Sequence, residues 1–309
     1  MLARFAITPE ALAEAQCSST AALELGIGCL NDLCRGEGVI TDLREGAWSR
    51  TTELVGPLAR RFLTFARKTG RLIQVPTQIP ADPDTDEEWL WEALKLNDTI
   101  TCRAVITHND LAGQDAVYPV ITSIERLNLS DWWEVRSPSK IVPRTTPGYL
   151  AALGLVLRHS NSLMFVDAYI DPLAENYREF PQILMAAANP EHRTLIEIHR
   201  ASWRKVNGRN EGVSPVQWMV DFEAWSQQLA NRGVKATVFL WERMHDRYLI
   251  SDLIGINVPY GFDIGNDPTE TSTWSRLGSA ERDRQQMEFD PACGVHRLVK
   301  FFDIGSQSS

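Results

Sequence analysis

Thr237-Val238-Phe239-Leu240-Trp241-Glu242-Arg243-Met244-His245-Asp246-Arg247-Tyr248-Leu249-Ile250-Ser251-Asp252 is the stretch on which the reading of the fold turns. A β-branched and aromatic run leads into a histidine, Arg247 follows two residues on, and Asp252 stands five beyond that. Tyr248-Leu249-Ile250 and Leu253-Ile254-Gly255-Ile256 carry the strand character onward. Side chains two apart on a strand point to the same face, so His245 and Arg247 share one. An imidazole beside a permanent cation suits a phosphate oxyanion. The guanidinium binds non-bridging oxygens while the ring attacks phosphorus or donates a proton. Asp252 is expected to orient that ring or to complete its hydrogen-bond network from the next strand.

Working outward, Gly233 ends a helix that Ser214-Pro215 opens and that runs to about Arg232, with Trp218, Phe222, Trp225 and Leu229 on its buried face. Upstream lie a strand over Thr194–His199, a helix over Glu179–Asn189, a strand from Ser162 that ends in the acids Asp167 and Asp171, and a helix from Thr146 to about His159. This alternation predicts a layered α/β domain with a mixed sheet over residues 145–305, and residues 305–309 read as a frayed tail. Pro138, Pro143 and Pro147 mark a linker before it. A smaller α/β domain is expected over residues 1–140, with helices over Pro9–Gln16, Ala21–Cys34, Gly56–Thr69 and Glu87–Leu96. Its strands are read at Val39–Leu43, Arg71–Val75 and Thr99–Ile106. Asp42, Glu45, Asp98 and Asp110 fall at strand ends, where a metal-dependent nuclease places its acids. Turn and cap roles account for such acids, and no metal is expected.

The pattern His245-x-Arg247-x4-Asp252 resembles the signature of the phospholipase D-like superfamily, His-x-Lys-x4-Asp followed by a Gly-containing turn. The resemblance covers about residues 145 to 280. The spacing carries it, together with the helix and strand before the motif and Pro259-Tyr260-Gly261-Phe262-Asp263 after a strand. Asp167-Ala168-Tyr169-Ile170-Asp171-Pro172 also looks like the end of the opening strand of single-motif members from bacterial conflict systems. Two features depart from the family: Arg247 stands where it has Lys, and the turn comes late and lacks the usual Ser and Asn, leaving Thr271-Ser272-Thr273 to supply hydroxyls. The resemblance implies a phosphodiesterase or nuclease that uses one His as nucleophile and a second as general acid, with no metal and no cofactor. With one motif in the chain, it also implies a homodimer that pairs two copies of His245. The expected setting is cytoplasmic anti-phage defence beside other proteins of one operon. The alternative implied by the Lys-to-Arg change is an inactive module that binds nucleic acid or a protein partner.

Between Arg193 and Arg209 lie Arg193, Arg200, Arg204, Lys205 and Arg209, with Trp203 and His199 among them. Arg200, Arg204 and Lys205 are therefore the expected substrate-binding cations for a nucleic-acid backbone, with Ser272 as a hydroxyl donor. A formal charge of −9 over 309 residues argues against a general nucleic-acid or anionic-membrane coat but leaves room for a local basic groove. The five cysteines are scattered without a CxxC pair, so neither a disulfide framework nor a zinc site is indicated. No apolar run approaches the roughly 18 residues of a membrane span, and no membrane partner is expected.

Overall fold

The computed structural model describes residues 1–113, 118–189, 193–265 and 267–306 and divides into two compact units, Leu2–Ser137 and Pro138–Ser309, with Met1 counted in the second.

The first unit is built on five parallel strands: β1 (Ala3–Ile7), β2 (Gly38–Asp42), β3 (Leu72–Gln74), β4 (Ala104–Thr107) and β5 (Ile121–Ser123), in the order β3-β2-β1-β4-β5. Its helices are α1 (Thr20–Arg35), α2 (Leu43–Val55), α3 (Pro57–Lys68), α4 (Asp86–Thr99), α5 (Asn109–Ala112) and α6 (Asp131–Glu134). A parallel sheet covered on both faces needs strands that are apolar throughout. Phe5-Ala6-Ile7, Val39-Ile40 and Ala104-Val105-Ile106 are all buried accordingly. The central strand β1 lies in a segment from which no element was expected. The expected helix Pro9–Gln16 is two short 3-10 turns, Pro9–Leu12 and Glu14–Gln16. The expected strand Thr99–Ile106 starts only at Ala104, because α4 holds its hydrogen bonds through Thr99. A capping box starts α4: Thr85 accepts from the Glu88 N–H and Glu88 reaches back to the Thr85 N–H.

The second unit is a mixed sheet of eight strands. In chain order they are β6 (Ser139–Pro143), β7 (Ser162–Asp167), β8 (Leu195–Ala201), β11 (Lys235–Trp241), β12 (Arg247–Ser251), β13 (Gly255–Asn257), β14 (Thr271–Arg276) and β15 (Leu298–Gly305), while β9 (Trp203–Val206) and β10 (Arg209–Gly212) form a separate hairpin. The order is β15-β11-β8-β7-β12-β13-β14-β6, parallel at β11/β8 and β8/β7 and antiparallel elsewhere. Its helices are α7 (Thr146–His159), α8 (Phe180–Met185), α9 (Pro215–Asp221), α10 (Glu223–Ala230) and α11 (Ser279–Glu288). Aromatic side chains bind α7, α8 and the junction of α9 and α10 to one face through Tyr149–Trp274, Phe165–Phe180 and Phe222–Phe302. The other face packs Met164, Val166, Trp241 and Ile250 with Phe289, just beyond α11.

Four expectations change here. Much of the proline-bearing linker is β6, an edge strand that tolerates Pro143 because one side of it needs no partner. The helix expected over residues 214–232 breaks at Phe222, and the one expected over 179–189 is Phe180–Met185. The expected frayed tail begins with Gly305 still inside β15, and its residues 307–309 lie outside the described residues.

Candidate functional site

The site lies at one end of the second unit's sheet, where β7, β8 and β11 finish and β12 begins. Arg247 opens β12 and pairs in register with Asp167, the last residue of β7. Asp167 is fully buried. Its Oδ2 accepts from the Tyr177 hydroxyl at 2.7 Å and the Phe262 N–H at 3.1 Å, and its Oδ1 accepts from the Tyr169 N–H at 3.0 Å. Burial raises the Asp167 pKa, against those hydrogen bonds and the nearby Arg247 charge. Arg247 Nε stands 3.6 Å from Asp167 Oδ1, its Nη1 donates to the Pro259 carbonyl at 2.5 Å, and its guanidinium lies 4.6 Å from the Tyr169 ring centre. Gly261 lets the 259–262 turn close on Asp167. Its φ is +68°, and a Cβ there would fall 1.9 Å from Asp167 Oδ2.

His245 is exposed just before β12, its ring 5.9 Å from that of Trp203. Trp203 meets Tyr169 edge-on at 5.3 Å, and the Lys205 ammonium lies 5.9 Å from the same Tyr169 ring. His245 and Lys205 are exposed and Tyr169 and Arg247 half-buried, so these rings and cations lie together along the rim with Trp203 buried beneath them.

The remaining expected site residues stand elsewhere. Asp252 does not orient His245. It follows the far end of β12, where its carboxylate accepts from the N–H groups of Asn161 and Ser162 and from the Asn161 side-chain amide, fixing the start of β7. Arg200 is not a surface cation either. It is buried, with Nε, Nη1 and Nη2 donating to the carbonyls of Ala201, Ile170 and Trp203 and its guanidinium 3.4 Å from the Trp218 ring centre. Burial lowers the Arg200 pKa, with Asp171 opposing. Arg204 is held by two carboxylates, Asp171 and Asp221, so its charge is neutralised locally. Of the three expected cations only Lys205 faces solvent freely. Ser272 is buried in β14, separated from β12 by β13, and its hydroxyl has no hydrogen-bond partner among the described residues.

Neither His199 nor His159 completes a second-histidine centre. His159 closes α7. His199 is 1% exposed, stacks on Phe239 and accepts the Trp241 indole N–H at Nδ1, leaving Nε2 3.4 Å from Glu197. Burial lowers its pKa, which keeps the ring neutral. It lines a cavity of about 470 Å³ between the sheet and α11, with Met164, Glu197 and Phe289. Two trios of metal-capable side chains occur among the described residues: Glu10, Asp86 and His108 in the first unit, and Asp246, Glu288 and His296 in the second. No feature of the sequence singled out His296 or His108. Tyr177, which grips Asp167, was equally unmarked because only the fold brings the two together.

No family model matches the chain, and no curated protein matches it. Among solved structures, the chain is similar to a polyphosphate kinase from Porphyromonas gingivalis at 11% identity and a TM-score of 0.33, over 56% of this chain and 34% of that one. The match therefore spans about a third of that kinase's length. It is also similar to TrmBL2, an archaeal chromatin protein described as showing a novel mode of DNA binding, at 13% identity and a TM-score of 0.30, over 77% of this chain and 83% of that one. No helix among the described residues is long and apolar enough to cross a membrane.

Proposed function

We propose that the second unit is a phospholipase D-like domain whose rim binds the phosphodiester backbone of single-stranded nucleic acid without cleaving it. The observation that carries this is the row His245–Trp203–Tyr169 flanked by Lys205 and Arg247. His245 is exposed and Tyr169 half-buried, with Trp203 buried as their support; rings so placed stack bases and cations track phosphates, each base stack contributing about 1–3 kcal/mol. The cations on this surface are Lys205 and, half-buried, Arg247, with Asp167 buried behind them and Asp246 beside His245. In an anti-phage complex this binding would present the strand to other proteins.

A second reading keeps the phosphodiesterase: His245 is exposed, so the ring of a second copy could meet it and supply the missing acid. One pair of assays separates the two. Fluorescence anisotropy with labelled single-stranded DNA and RNA, at salt from about 50 to 200 mM, should show binding that weakens steeply with salt. Tyr169→Ala and Lys205→Ala should weaken it, and Asp252→Asn should not. Absence of binding at the lowest salt overturns the proposal. Cleavage in EDTA that His245→Ala abolishes replaces it with the enzyme reading.

A further inference from the structure

In the first unit the chain leaves β1 toward α1 and leaves β4 toward β5 on the opposite side of the sheet, since the strand order reverses between β1 and β4. Loops that diverge at such a switch point open a crevice beyond the carboxyl ends of the two strands. Thr8 and Glu10 follow β1, Thr107 and His108 end or follow β4, and Asp86 starts α4. Their ligand atoms converge: one oxygen each from Glu10 and Asp86 and one nitrogen from His108 lie within 4.8 Å of one another.

Asp86 has an evident structural task, because its Oδ1 accepts the Glu10 N–H at 2.9 Å. That task leaves Oδ2 facing the Thr107 hydroxyl at 3.5 Å and His108 Nε2 at 3.6 Å. His108 has no such explanation. It is 7% exposed, its Nδ1 has no hydrogen-bond partner among the described residues, and its Nε2 stops just short of hydrogen-bond distance from the carboxylate. The nitrogen facing Asp86 is Nε2, which stands at ligating separation without a hydrogen bond to the carboxylate and so is free to take a metal, while Nδ1 points to the other side of the ring. Bonds of about 2.0–2.2 Å from a shared metal would hold an Asp oxygen and a His nitrogen at a separation close to the one seen. The Thr8 hydroxyl donates to that of Thr107 at 3.0 Å, and Thr107 in turn to Asp86, which fixes the carboxylate from behind.

We infer that Glu10, Asp86 and His108 bind one divalent transition-metal ion of the Mn²⁺-to-Zn²⁺ class at the switch point of the parallel sheet. The mixed donor set selects that class: two carboxylates alone suit Mg²⁺ or Ca²⁺, and the imidazole shifts preference toward first-row metals. Three protein ligands leave coordination positions for water or an anionic ligand, as in metal sites that do chemistry rather than staple a fold. Burial holds the Asp86 pKa up, so metal and proton compete for the same carboxylate.

The test is titration of the full chain with Mn²⁺ and with Zn²⁺, by calorimetry and, for Mn²⁺, by electron paramagnetic resonance. A His296→Gln background removes the other trio as a source of signal. One ion per chain is expected in that background. Glu10→Gln, at an exposed position where folding is not at stake, should weaken binding at least tenfold, and His108→Gln should abolish it. No binding in the His296→Gln background, or binding untouched by Glu10→Gln, overturns the assignment. If His108→Gln fails to fold, Glu10→Gln alone decides.

Discussion

Gly261→Ala should damage the second unit far more than a glycine-to-alanine change at another left-handed position, because Asp167 sits against it. Gly208 is the control. It follows Asn207 in the β9–β10 turn at φ +80°, and a Cβ there meets nothing within 4 Å. Gly208→Ala then carries only the backbone cost of a left-handed L-residue, about 1–2 kcal/mol. Gly261→Ala carries the same cost at φ +68°, and in addition its Cβ would lie 1.9 Å from Asp167 Oδ2. That oxygen must move, giving up the Tyr177 hydroxyl and the Phe262 N–H. Two hydrogen bonds to a buried carboxyl are together worth about 2–4 kcal/mol, so the total is about 3–6 kcal/mol, much of the stability of an ordinary domain. Urea unfolding of both full-length variants, followed by tryptophan fluorescence, reads this as a midpoint shift at unchanged slope. Equal losses in the two variants would show that Asp167 does not hold the 259–262 turn, and the account of the rim would fail with it.

Arg200→Ala should behave as a core mutation, costing about 3–5 kcal/mol in denaturant while oligonucleotide affinity of the folded protein stays unchanged; a selective loss of affinity would contradict its burial. Lys205→Ala should lower the slope of log affinity against log salt by about 0.7 with single strands, as one lost phosphate contact requires; an unchanged slope places Lys205 outside the interface. The folded-state pKa of His199 is depressed below 6.5. Its contribution is therefore complete above that value and is lost as the pH falls toward the folded value, at up to about 1.4 kcal/mol per pH unit. His199→Phe should flatten the acid-side stability curve between pH 7 and 5, and an unaltered slope would refute the neutral assignment. Thr85→Ala should destabilise the first unit by about 1 kcal/mol through loss of the capping box, read as a shift in its melting transition.

What the sequence could reveal was whatever neighbouring residues decide between themselves. Leu249 and Ile250 announce β12, but the strand begins only at Arg247, so the alternation expected to set His245 on the same face does not reach it. The same rule, carried further, would have separated Asp252: at about 3.3 Å per residue, five strand positions put it roughly 16 Å from Arg247. Spacing that suggests a cluster on a helix marks opposite ends on a strand. Arg200 and Lys205 look alike in the basic segment, and only the ring of Trp218, brought from α9, decides which of them is covered. β1 was illegible for a related reason. Five residues beside the N-terminus carry little pattern, and their place at the centre of the sheet is a property of pairing with β2 and β4. Glu10, Asp86 and His108 are 98 residues apart at their extremes (108 − 10) and meet only because the strand order reverses there.

The choice of Arg at position 247 bears most on what the rim does. A lysine would offer one compact ammonium, free to swing toward a phosphate, whereas the guanidinium fork is engaged on several sides at once. It lies beside Asp167, donates to the Pro259 carbonyl and covers the Tyr169 ring, so that it joins β12, the 259–262 turn and the end of β7. Part of its charge is already answered by a carboxylate that cannot leave the interior. The cation and ring left most open to an incoming backbone are Lys205 and His245. On the binding reading proposed above, such a site would hold a phosphodiester, and the cleaving alternative would need a second acid to meet His245.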